Sequence, residues 1–551
     1  MRRQFVIFSI IAIAGTAAIA HFAWPPFWWA LVVIAPLVVL GLYDMLQAEH
    51  TIVRNFPLVG RARYFMEALR PKIYQYFIES DIDGTPISRI FRSVAYQRAK
   101  GMADTVPFGT ELDVNNVGYE WMNHSLAAHN PQEADHDLRV KVGGSDCTQP
   151  YNASILNISA MSYGALSKNA ILALNGGAQI GNFAHNTGEG SISPYHLEPG
   201  GDLIWQIGTG YFGCRSPEGR FSEELFAEKS QGETVRMVEI KLSQGAKPGH
   251  GGILPASKNS PEIAAIRTVP PHTDIISPPS HTAFSTPLEM VAFIQKLRDL
   301  SGGKPVGFKL CVGIRSEFLA ICKAMIETGI KPDFITVDSG DGGTGAAPMS
   351  LIDNEGGTGA APIEYSNSVG FPLNDGLAFV VDALVGFDLK KDIRVIASGK
   401  IFTGFHLLRA LAMGADMSNS ARGMMLALGC IQALECNKNN CPTGITTQDT
   451  QLMAGLVVSN KRQRVANYHH QTVKSIAELL TASGLDRIDQ LSRTHIYRRV
   501  SAQAVARLDE IYPYPETGCM LKGEAPERYD SDLTQATSGS FGASCPMPIL
   551  G

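Results

Sequence analysis

VGFKLCVGIRSEFLAICKAMIETGIKPDFITV, residues 306–337, contains two short apolar runs on either side of a helical pattern. The runs are Val306–Leu310 and Phe334–Val337. Between them, Glu317–Thr328 carries apolar residues at spacings of three and four, as an amphipathic helix does. A strand, a helix and a second strand in this order predict parallel strands joined by a crossover connection.

The same alternation recurs from about residue 152 to about residue 449. Six further apolar runs each lead into a loop that contains Gly, Ser or Pro: Ile155–Met161, Asn182–Asn186, Met237–Leu242, Asp274–Ile276, Arg394–Ala397 and Asp416–Asn419. Eight strand–helix units in about 300 residues indicate an α/β fold, a closed (β/α)8 TIM barrel. The alternative is an open, Rossmann-like sheet.

Four segments follow from this reading. Residues 1–46 form an apolar hairpin, and residues 47–150 a linker and cap. Residues 151–450 form the barrel. Residues 451–551 form a helical extension, with helices at Arg462–Ser483 and Ala502–Ile511, and end in a polar tail that we expect to be disordered.

The first segment has two apolar runs, Phe5–Ala23 and Phe27–Leu42, each close to the length that crosses a bilayer. Arginines precede the first run and follow the second, while the Trp-rich link between the runs has neither Lys nor Arg. The positive-inside rule then predicts a two-helix anchor in the cell inner membrane with the barrel in the cytoplasm. A cleaved signal peptide or a twin-arginine export signal, suggested by Arg2-Arg3, is the alternative.

Composition excludes some classes of function. A net charge of −5 gives no electrostatic reason to expect a nucleic-acid partner. Nine cysteines in 551 residues are too sparse for a disulfide scaffold. No P-loop, no GxSxG nucleophile motif and no dinucleotide-binding GxGxxG occurs in a suitable context.

The carboxyl ends of the predicted strands, where TIM barrels place their active sites, carry chemically useful residues. These are Met161, Ser162 and Tyr163 after the first run, Glu189 after the second, Gln244 and Lys247 after the third, and Lys309 on the fifth. The last two strands lead into Ser398-Gly399-Lys400 and Ser420-Ala421-Arg422. Small residues and a cation after strands seven and eight predict a phosphate site.

Three cysteines, Cys430, Cys436 and Cys441, fall within twelve positions directly after the eighth strand. Zinc sites usually need four ligands, often in paired CxxC motifs, and that pattern is missing here. Three thiolates at these spacings favour an iron–sulfur cluster.

Residues 151–490 resemble the FMN-binding synthase domain of glutamate synthases. The resemblance rests on motifs that occur in the family's order: MSYGALS at 161–167, NTGEG at 186–190, QGAKPG at 244–249, ISPP at 276–279, DGGTGA at 341–346, and the three cysteines followed by Pro442. A second copy of the glycine motif lies within Glu355–Pro362.

The resemblance implies FMN, a [3Fe–4S] cluster on the three cysteines, and reductive amination of 2-oxoglutarate with ammonia to glutamate. It implies an electron-donor protein, either a ferredoxin or a reductase subunit. Glu189, Gln244 and Lys247 would face the substrate, and Lys309 would stabilise the reduced flavin. The resemblance assigns the other cofactor-binding positions to Met161, Ser162, Tyr163, Ser339, Gly340, Gly342, Gly343, Thr344, Ser398, Gly399, Lys400, Ser420, Ala421 and Arg422.

The sequence also departs from the family pattern. It lacks the N-terminal cysteine that hydrolyses glutamine, so we expect no glutaminase activity of its own. His250 and Ile253 replace an acidic residue and a glutamine on the substrate side. Two alternatives therefore stay open: an FMN and iron–sulfur enzyme acting on another oxo or amino acid with a membrane electron partner, or a non-catalytic electron-transfer subunit.

Overall fold

The computed structural model describes residues 1–245, 253, 254, 256, 258–340 and 363–542; for Ile253, Ile363 and Ser366 it describes the backbone alone. Within these ranges the chain divides into two compact units, Met1–Arg89 and Ile90–Gly551. The barrel lies in the second unit.

The first unit is helical. Its elements are Arg2–Phe22, a 3-10 helix at Pro25–Ala30, Leu31–Leu46, Thr51–Asn55, Gly60–Ile73 and a π-helical turn at Tyr74–Ile78. Arg2–Phe22 and Pro25–Leu46 are long and apolar enough to cross a membrane, with mean hydropathies of 2.2 and 2.1. This assignment is based on length and composition only, and signal sequences meet the same two criteria.

Eight parallel strands form a closed barrel in the second unit. In chain order they are β1 Leu156–Ile158, β2 His185–Asn186, β3 Leu203–Ile207, β4 Val235–Lys241, β5 Val306–Cys311, β6 Phe334–Asp338, β7 Arg394–Ser398 and β8 Met417–Ser420. Each strand pairs with the next, and β8 pairs with β1 through Ser420 and Ile158, which closes the sheet. The prediction of a TIM barrel is confirmed.

One of the eight predicted strands was wrong. Asp274–Ile276 is not a barrel strand, because Ile275–Ile276 pairs antiparallel with Ile253–Leu254 in a separate two-stranded sheet. The barrel instead takes Leu203–Ile207 as β3, between β2 and β4. Asp274–Ile276 and Leu203–Ile207 are both short and apolar, so only their hydrogen-bonding partners show which of the two is the barrel strand. The predicted second strand was also too long: Asn182 ends a helix with φ +52°, and the strand begins at His185.

Helices surround the barrel, and several begin at side chains that accept backbone N–H bonds. Thr286 and Glu289 form a capping box at the start of Pro287–Leu300, and Ser167 caps Lys168–Gly181. The other helices between β1 and residue 454 are Pro194–Leu197, Glu223–Ser230, Pro261–Arg267, Arg315–Thr328, Ile363–Ser368, Leu373–Gly386, Gly404–Ala412, Arg422–Leu428 and Thr450–Ala454.

A buried carboxylate organises the barrel interior. Glu239 on β4 is fully buried and accepts hydrogen bonds from Asn186 on β2 at 2.8 Å, Gln206 on β3 at 2.6 Å and Thr336 on β6 at 2.6 Å. Four strands therefore meet at one side chain. Its donors compensate the desolvation that an isolated buried carboxylate would suffer.

Several elements lie outside the barrel. Before β1 come the helix Arg89–Ala99, the 3-10 helix Pro131–Glu133 and the hairpin Arg139–Val142 with Tyr151–Ser154. After residue 454 come Val458–Ala482, the 3-10 helices Ile488–Gln490, Arg493–His495 and Cys519–Leu521, and the helices Leu508–Ile511 and Glu527–Gln535. Glu120–Met122, Ile496–Arg499 and Val505–Arg507 form a three-stranded antiparallel sheet.

The C-terminal extension corrects two predictions. Residues 502–511 are not one helix, since Val505–Arg507 pairs with Ile496–Arg499 as a strand before the short helix Leu508–Ile511. The tail up to residue 542 is ordered, because the helix Glu527–Gln535 is attached to the barrel. Asp382 accepts a hydrogen bond from Tyr529 at 2.9 Å and pairs with Arg528 at 3.0 Å and with buried Arg493 at 2.8 Å.

Buried neutral histidines should make the fold sensitive to mild acid. Burial lowers the pKa of His196, His406 and His469 to about 3 and that of His281 to about 4. In the unfolded chain the pKa of a histidine is about 6.5. The stabilisation that each buried neutral histidine gives to the fold is therefore complete above this pH and declines as the pH falls below it.

We expect the free energy of unfolding to fall between pH 6.5 and 5, by up to about 1.4 kcal/mol per pH unit for each such histidine. Urea denaturation at pH 7.5 and at pH 5.5 measures this difference. Unfolded carboxylates stay ionised in that window, so they contribute little. His196→Gln is the control and should reduce the slope; equal stability at both pH values would contradict the prediction.

Candidate active site

One cavity at the carboxyl end of the barrel brings together all six residues of the two loops that were predicted to bind a phosphate. About 460 Å³ of space that protein atoms do not fill lies within it, and this volume includes open solvent. Its lining comes from loops or ends of six strands: Ser159, Ala160, Gln244, Lys309, Asp338, Ser398, Gly399, Lys400, Ile401, Phe402, Ser420, Ala421 and Arg422. Three cations and one carboxylate in this list give the cavity a positive balance, which suits a phosphate-bearing ligand.

The carboxylate on this wall is Asp338, at the end of β6. Its Oδ2 accepts a hydrogen bond from the backbone N–H of Gly245 at 2.9 Å and lies 3.6 Å from Lys309 Nζ. Both side chains are almost completely buried. Asp338 thus fixes Lys309 and holds the loop that contains Gln244 against the cavity. No local sequence pattern had indicated a role for Asp338.

Glu189 lies beside a lysine that the sequence analysis missed. Its Oε1 pairs with Lys241 Nζ at 2.8 Å, and its Oε2 lies 3.5 Å from the hydroxyl of Ser277. Burial lowers the pKa of Lys241, and the Glu189 carboxylate is the largest opposing influence. His281 Nε2 lies 2.9 Å from the backbone carbonyl oxygen of Lys241, and this contact fixes the backbone at Lys241.

Arg267 is a second cation near Glu189 that the sequence did not reveal. It is 5% exposed and donates to the Tyr163 carbonyl at 3.0 Å, while its guanidinium lies 5.3 Å from the centre of the Phe212 ring. Its Nε has no hydrogen-bond partner among the described residues. Burial lowers the pKa of Arg267 to about 10, and Glu189 opposes this shift. The group remains charged at neutral pH.

The loops after β1 and β2 pack closely against each other. The backbone N–H of Gly190 donates to Ser162 Oγ at 3.1 Å, and a Cβ at Gly188, where φ is +65°, would lie 2.7 Å from the Ser162 backbone nitrogen. Tyr163 points elsewhere, with its hydroxyl 3.1 Å from Glu262. Met161 is buried. Of these, only Ser162 contacts the Glu189 loop by a hydrogen bond.

The remaining predicted positions divide into two sets. Ser339 is buried and donates its backbone N–H to the Ser398 carbonyl at 2.8 Å, and Gly340 donates to Phe371 at 2.7 Å. Lys247, Gly342, Gly343, Thr344, His250 and the two glycine motifs at 341–348 and 355–362 lie outside the described residues.

The three predicted cysteine ligands follow the helix Arg422–Leu428 and lie within electrostatic range of one another. Gln432 donates its N–H to Cys430 Sγ at 3.4 Å, and Thr443 Oγ1 lies 3.3 Å from Cys441 Sγ. Every cysteine in the described ranges is a free thiol. Those ranges contain no three acidic, His or Cys side chains arranged around a single metal ion. Three thiols are ligands of the kind that iron–sulfur clusters use.

Fold and site together define a β/α-barrel enzyme with a cationic cavity at the carboxyl ends of its strands and three thiols beyond the last strand. Residues 148–356 and 354–486 match the family model for the conserved region in glutamate synthase. The chain belongs to the glutamate synthase family and is a glutamate synthase-like oxidoreductase.

Two relatives show how far the similarity extends. The glutamate synthase large subunit-like protein YerD of Bacillus subtilis is 35% identical over 87% of this chain and 96% of its own length. The archaeal glutamate synthase [NADPH] of Methanocaldococcus jannaschii is 33% identical over 61% of this chain, which spans 60% of that relative. Among solved structures, a mutant flavocytochrome b2 with pyruvate bound has a TM-score of 0.40 at 14% identity, covering 82% of this chain and 91% of its own.

Proposed function

We propose that this chain binds FMN in the cationic cavity and a [3Fe–4S] cluster on Cys430, Cys436 and Cys441. It would use electrons from an external donor protein to convert 2-oxoglutarate and ammonia to glutamate. The observation that carries the proposal is the cavity itself, where Lys309, Lys400 and Arg422 meet in a chain of the glutamate synthase family.

The cavity offers distinct partners for the parts of a flavin nucleotide. The loops 398–400 and 420–422 combine small residues with Lys400 and Arg422, a combination suited to the phosphate. Lys309, positioned by Asp338, would stabilise negative charge on the reduced ring. When bound, FMN supplies the hydride.

Substrate handling falls to the group around Glu189. An oxo acid brings carboxylates that need a buried cation, and Arg267 can offer planar N–H donors to one of them. The Glu189 carboxylate can accept a proton from the nitrogen as ammonia adds to the keto carbon, and can pass it to the alkoxide oxygen to give the carbinolamine. It can then carry a second proton from the nitrogen to the hydroxyl, which leaves as water as the imine forms. Lys241 keeps the carboxylate in place for both transfers.

We also propose that Arg2–Phe22 and Pro25–Leu46 anchor the enzyme in the cell inner membrane, with the barrel on the cytoplasmic side. Two observations support this location. Both helices are apolar over a bilayer's length. Arg2 and Arg3 lie at the start of the first helix, further Arg and Lys residues follow the second, and the link between the helices has neither.

A different oxo acid is the second candidate substrate, because Ile253 pairs with Ile276 where the family has a substrate-binding glutamine. Oxo acids of several lengths, assayed with ammonia and reduced ferredoxin, distinguish the two. Fastest turnover of 2-oxoglutarate supports glutamate formation; slower turnover than with every other oxo acid refutes it.

The cofactors are tested by absorption and EPR spectra of detergent-purified protein, with flavin and iron quantified. We expect one FMN per chain and an oxidised-state signal from a three-iron cluster. Protein that remains colourless after anaerobic reconstitution with FMN, iron and sulfide would refute the proposal and favour a non-catalytic subunit.

Gly399→Ala should remove most of the bound FMN. A Cβ at this position would lie 2.5 Å from the Ser339 Cβ, so the cavity wall must shift. We expect flavin content below about a tenth of the wild-type value, since a 1.4 kcal/mol loss already costs a factor of about ten in affinity. Gly376→Ala is the control, because its Cβ would meet only ordinary contacts at 3.5 Å or more. Equal flavin content in the two variants would contradict the prediction.

A further inference from the structure

A buried lysine from a distant part of the chain lies against the cysteine loop. Lys258 is 3% exposed, and its Nζ lies 3.3 Å from the carbonyl oxygens of both Cys436 and Thr446. Lys258 and Cys436 are 178 positions apart in sequence. The lysine belongs to the segment between the Ile253–Leu254 strand and the helix Pro261–Arg267.

Among the residues that the structure describes, no carboxylate forms an ion pair with Lys258. Lys258 lies within electrostatic range of the sulfur atoms of Cys436 and Cys441. An uncompensated buried ammonium is costly, so a charged Lys258 needs a negative partner nearby. In the part of the chain that the structure describes, the thiolates that would bind the proposed cluster are the negative groups within range of Lys258.

We propose that Lys258 is the counter-charge of the iron–sulfur cluster and raises its reduction potential. The inference rests on the cluster assigned above. Reduction adds one electron from the external donor to a centre already held by three thiolates. A fixed positive charge in a low-dielectric site stabilises the reduced state more than the oxidised state. Lys258 is thus a positioning and tuning residue and not a ligand.

A second buried cation lies near Cys430. Arg92, 4% exposed, lies within electrostatic range of Cys430. Neighbouring Tyr96 donates its hydroxyl to the Cys430 carbonyl at 2.6 Å. Cys430 therefore has a cation from the helix Arg89–Ala99, while Cys436 and Cys441 have Lys258. The two cations lie outside the cysteine motif, so the motif alone does not set the potential.

The test is a redox titration of detergent-purified full-length protein with dithionite, followed by the EPR signal of the oxidised three-iron cluster. Lys258→Met should move the midpoint to a more negative potential by at least a tenfold change in the reduction equilibrium, which is 59 mV for one electron. Lys258→Arg, which keeps the charge, should stay close to the wild-type midpoint.

Lys304→Met is a matched control. Lys304 is also a buried lysine that donates to two carbonyls, those of Ser230 and Gly232, but no thiolate contributes to its electrostatics. Its replacement should leave the cluster midpoint unchanged. An unchanged midpoint in Lys258→Met would overturn the inference, as would the same shift in Lys258→Met and Lys258→Arg.

Cluster assembly gives a second readout if the neutral variant loses iron. Loss of iron from Lys258→Met and Lys258→Gln, with retention in Lys258→Arg, shows that the charge is required and supports the inference. Loss from all three variants indicates a purely geometric role and overturns it. If the wild-type protein shows no three-iron signal, the proposed cluster is refuted. This outcome differs from those that refute only the role of Lys258, because in those the wild-type cluster is present.

Discussion

Arg267→Ala is expected to lower kcat/KM for the oxo acid by about a hundredfold while leaving the bound flavin in place. Losing a charge-assisted hydrogen bond to a buried carboxylate costs about 1.5–3 kcal/mol, or a factor of roughly 10 to 150. Arg267 lies beside Glu189 and is not part of the cavity wall assigned to FMN. Most of the loss should appear as a higher KM, because the role proposed for Arg267 is to bind the substrate both before and during the reaction.

Arg215→Ala separates substrate binding from simple packing. Arg215 also lies over the Phe212 ring, at 5.6 Å compared with 5.3 Å for Arg267, so both replacements remove a cation–aromatic contact. We expect Arg215→Ala to change KM less than threefold. Steady-state assays over a range of oxo acid concentrations, with flavin measured in each preparation, give the comparison. Equal KM increases in the two variants would rule out a specific role for Arg267.

Glu239→Ala should destabilise the barrel more than any other single change considered. The replacement leaves Asn186, Gln206 and Thr336 without their shared acceptor inside a closed sheet. Removing one partner of a buried polar network typically costs about 3–5 kcal/mol, since the groups left behind are desolvated without compensation. We expect a lower urea midpoint and a lower yield of folded protein.

Glu239→Gln is the matched variant. Its amide oxygen can still accept from Asn186 and Gln206, and its NH₂ group can donate to the Thr336 hydroxyl, so all three contacts have a partner. The expected cost is below about 1.5 kcal/mol, the size of one ordinary hydrogen bond. If Glu239→Ala and Glu239→Gln unfold at the same urea concentration, the hydrogen-bond network is not the source of the stability.

Local patterns predicted the barrel and much of its cavity. Strand and helix periods are properties of neighbouring residues, so units such as Val306–Cys311 and Arg315–Thr328 were recognisable from spacing alone. Because all eight strands run parallel, the loops at 398–400 and 420–422 had to meet at one end. The cavity does bring these loops together with Lys309.

Where local patterns were equivalent, prediction failed. Asp274–Ile276 and Leu203–Ile207 are both short apolar runs, and the sequence analysis chose the wrong one for the barrel. Strand membership depends on which backbone groups pair, and the partners of β3 lie on β2 and β4. Such pairing is a property of the folded chain and not of the five residues in the strand.

By itself, the sequence determined the fold class, the cysteine trio and the cations of the loops at 398–400 and 420–422, because each depends on residue type and short spacing. Only the tertiary structure decided that Lys241 and Arg267 join Glu189, that Asp338 holds Lys309, and that Lys258 lies against the cysteine loop. These groups come from separate loops and strands. Burial gives their charges large mutual effects, and no pattern of neighbouring residues records which distant side chains will share a buried site.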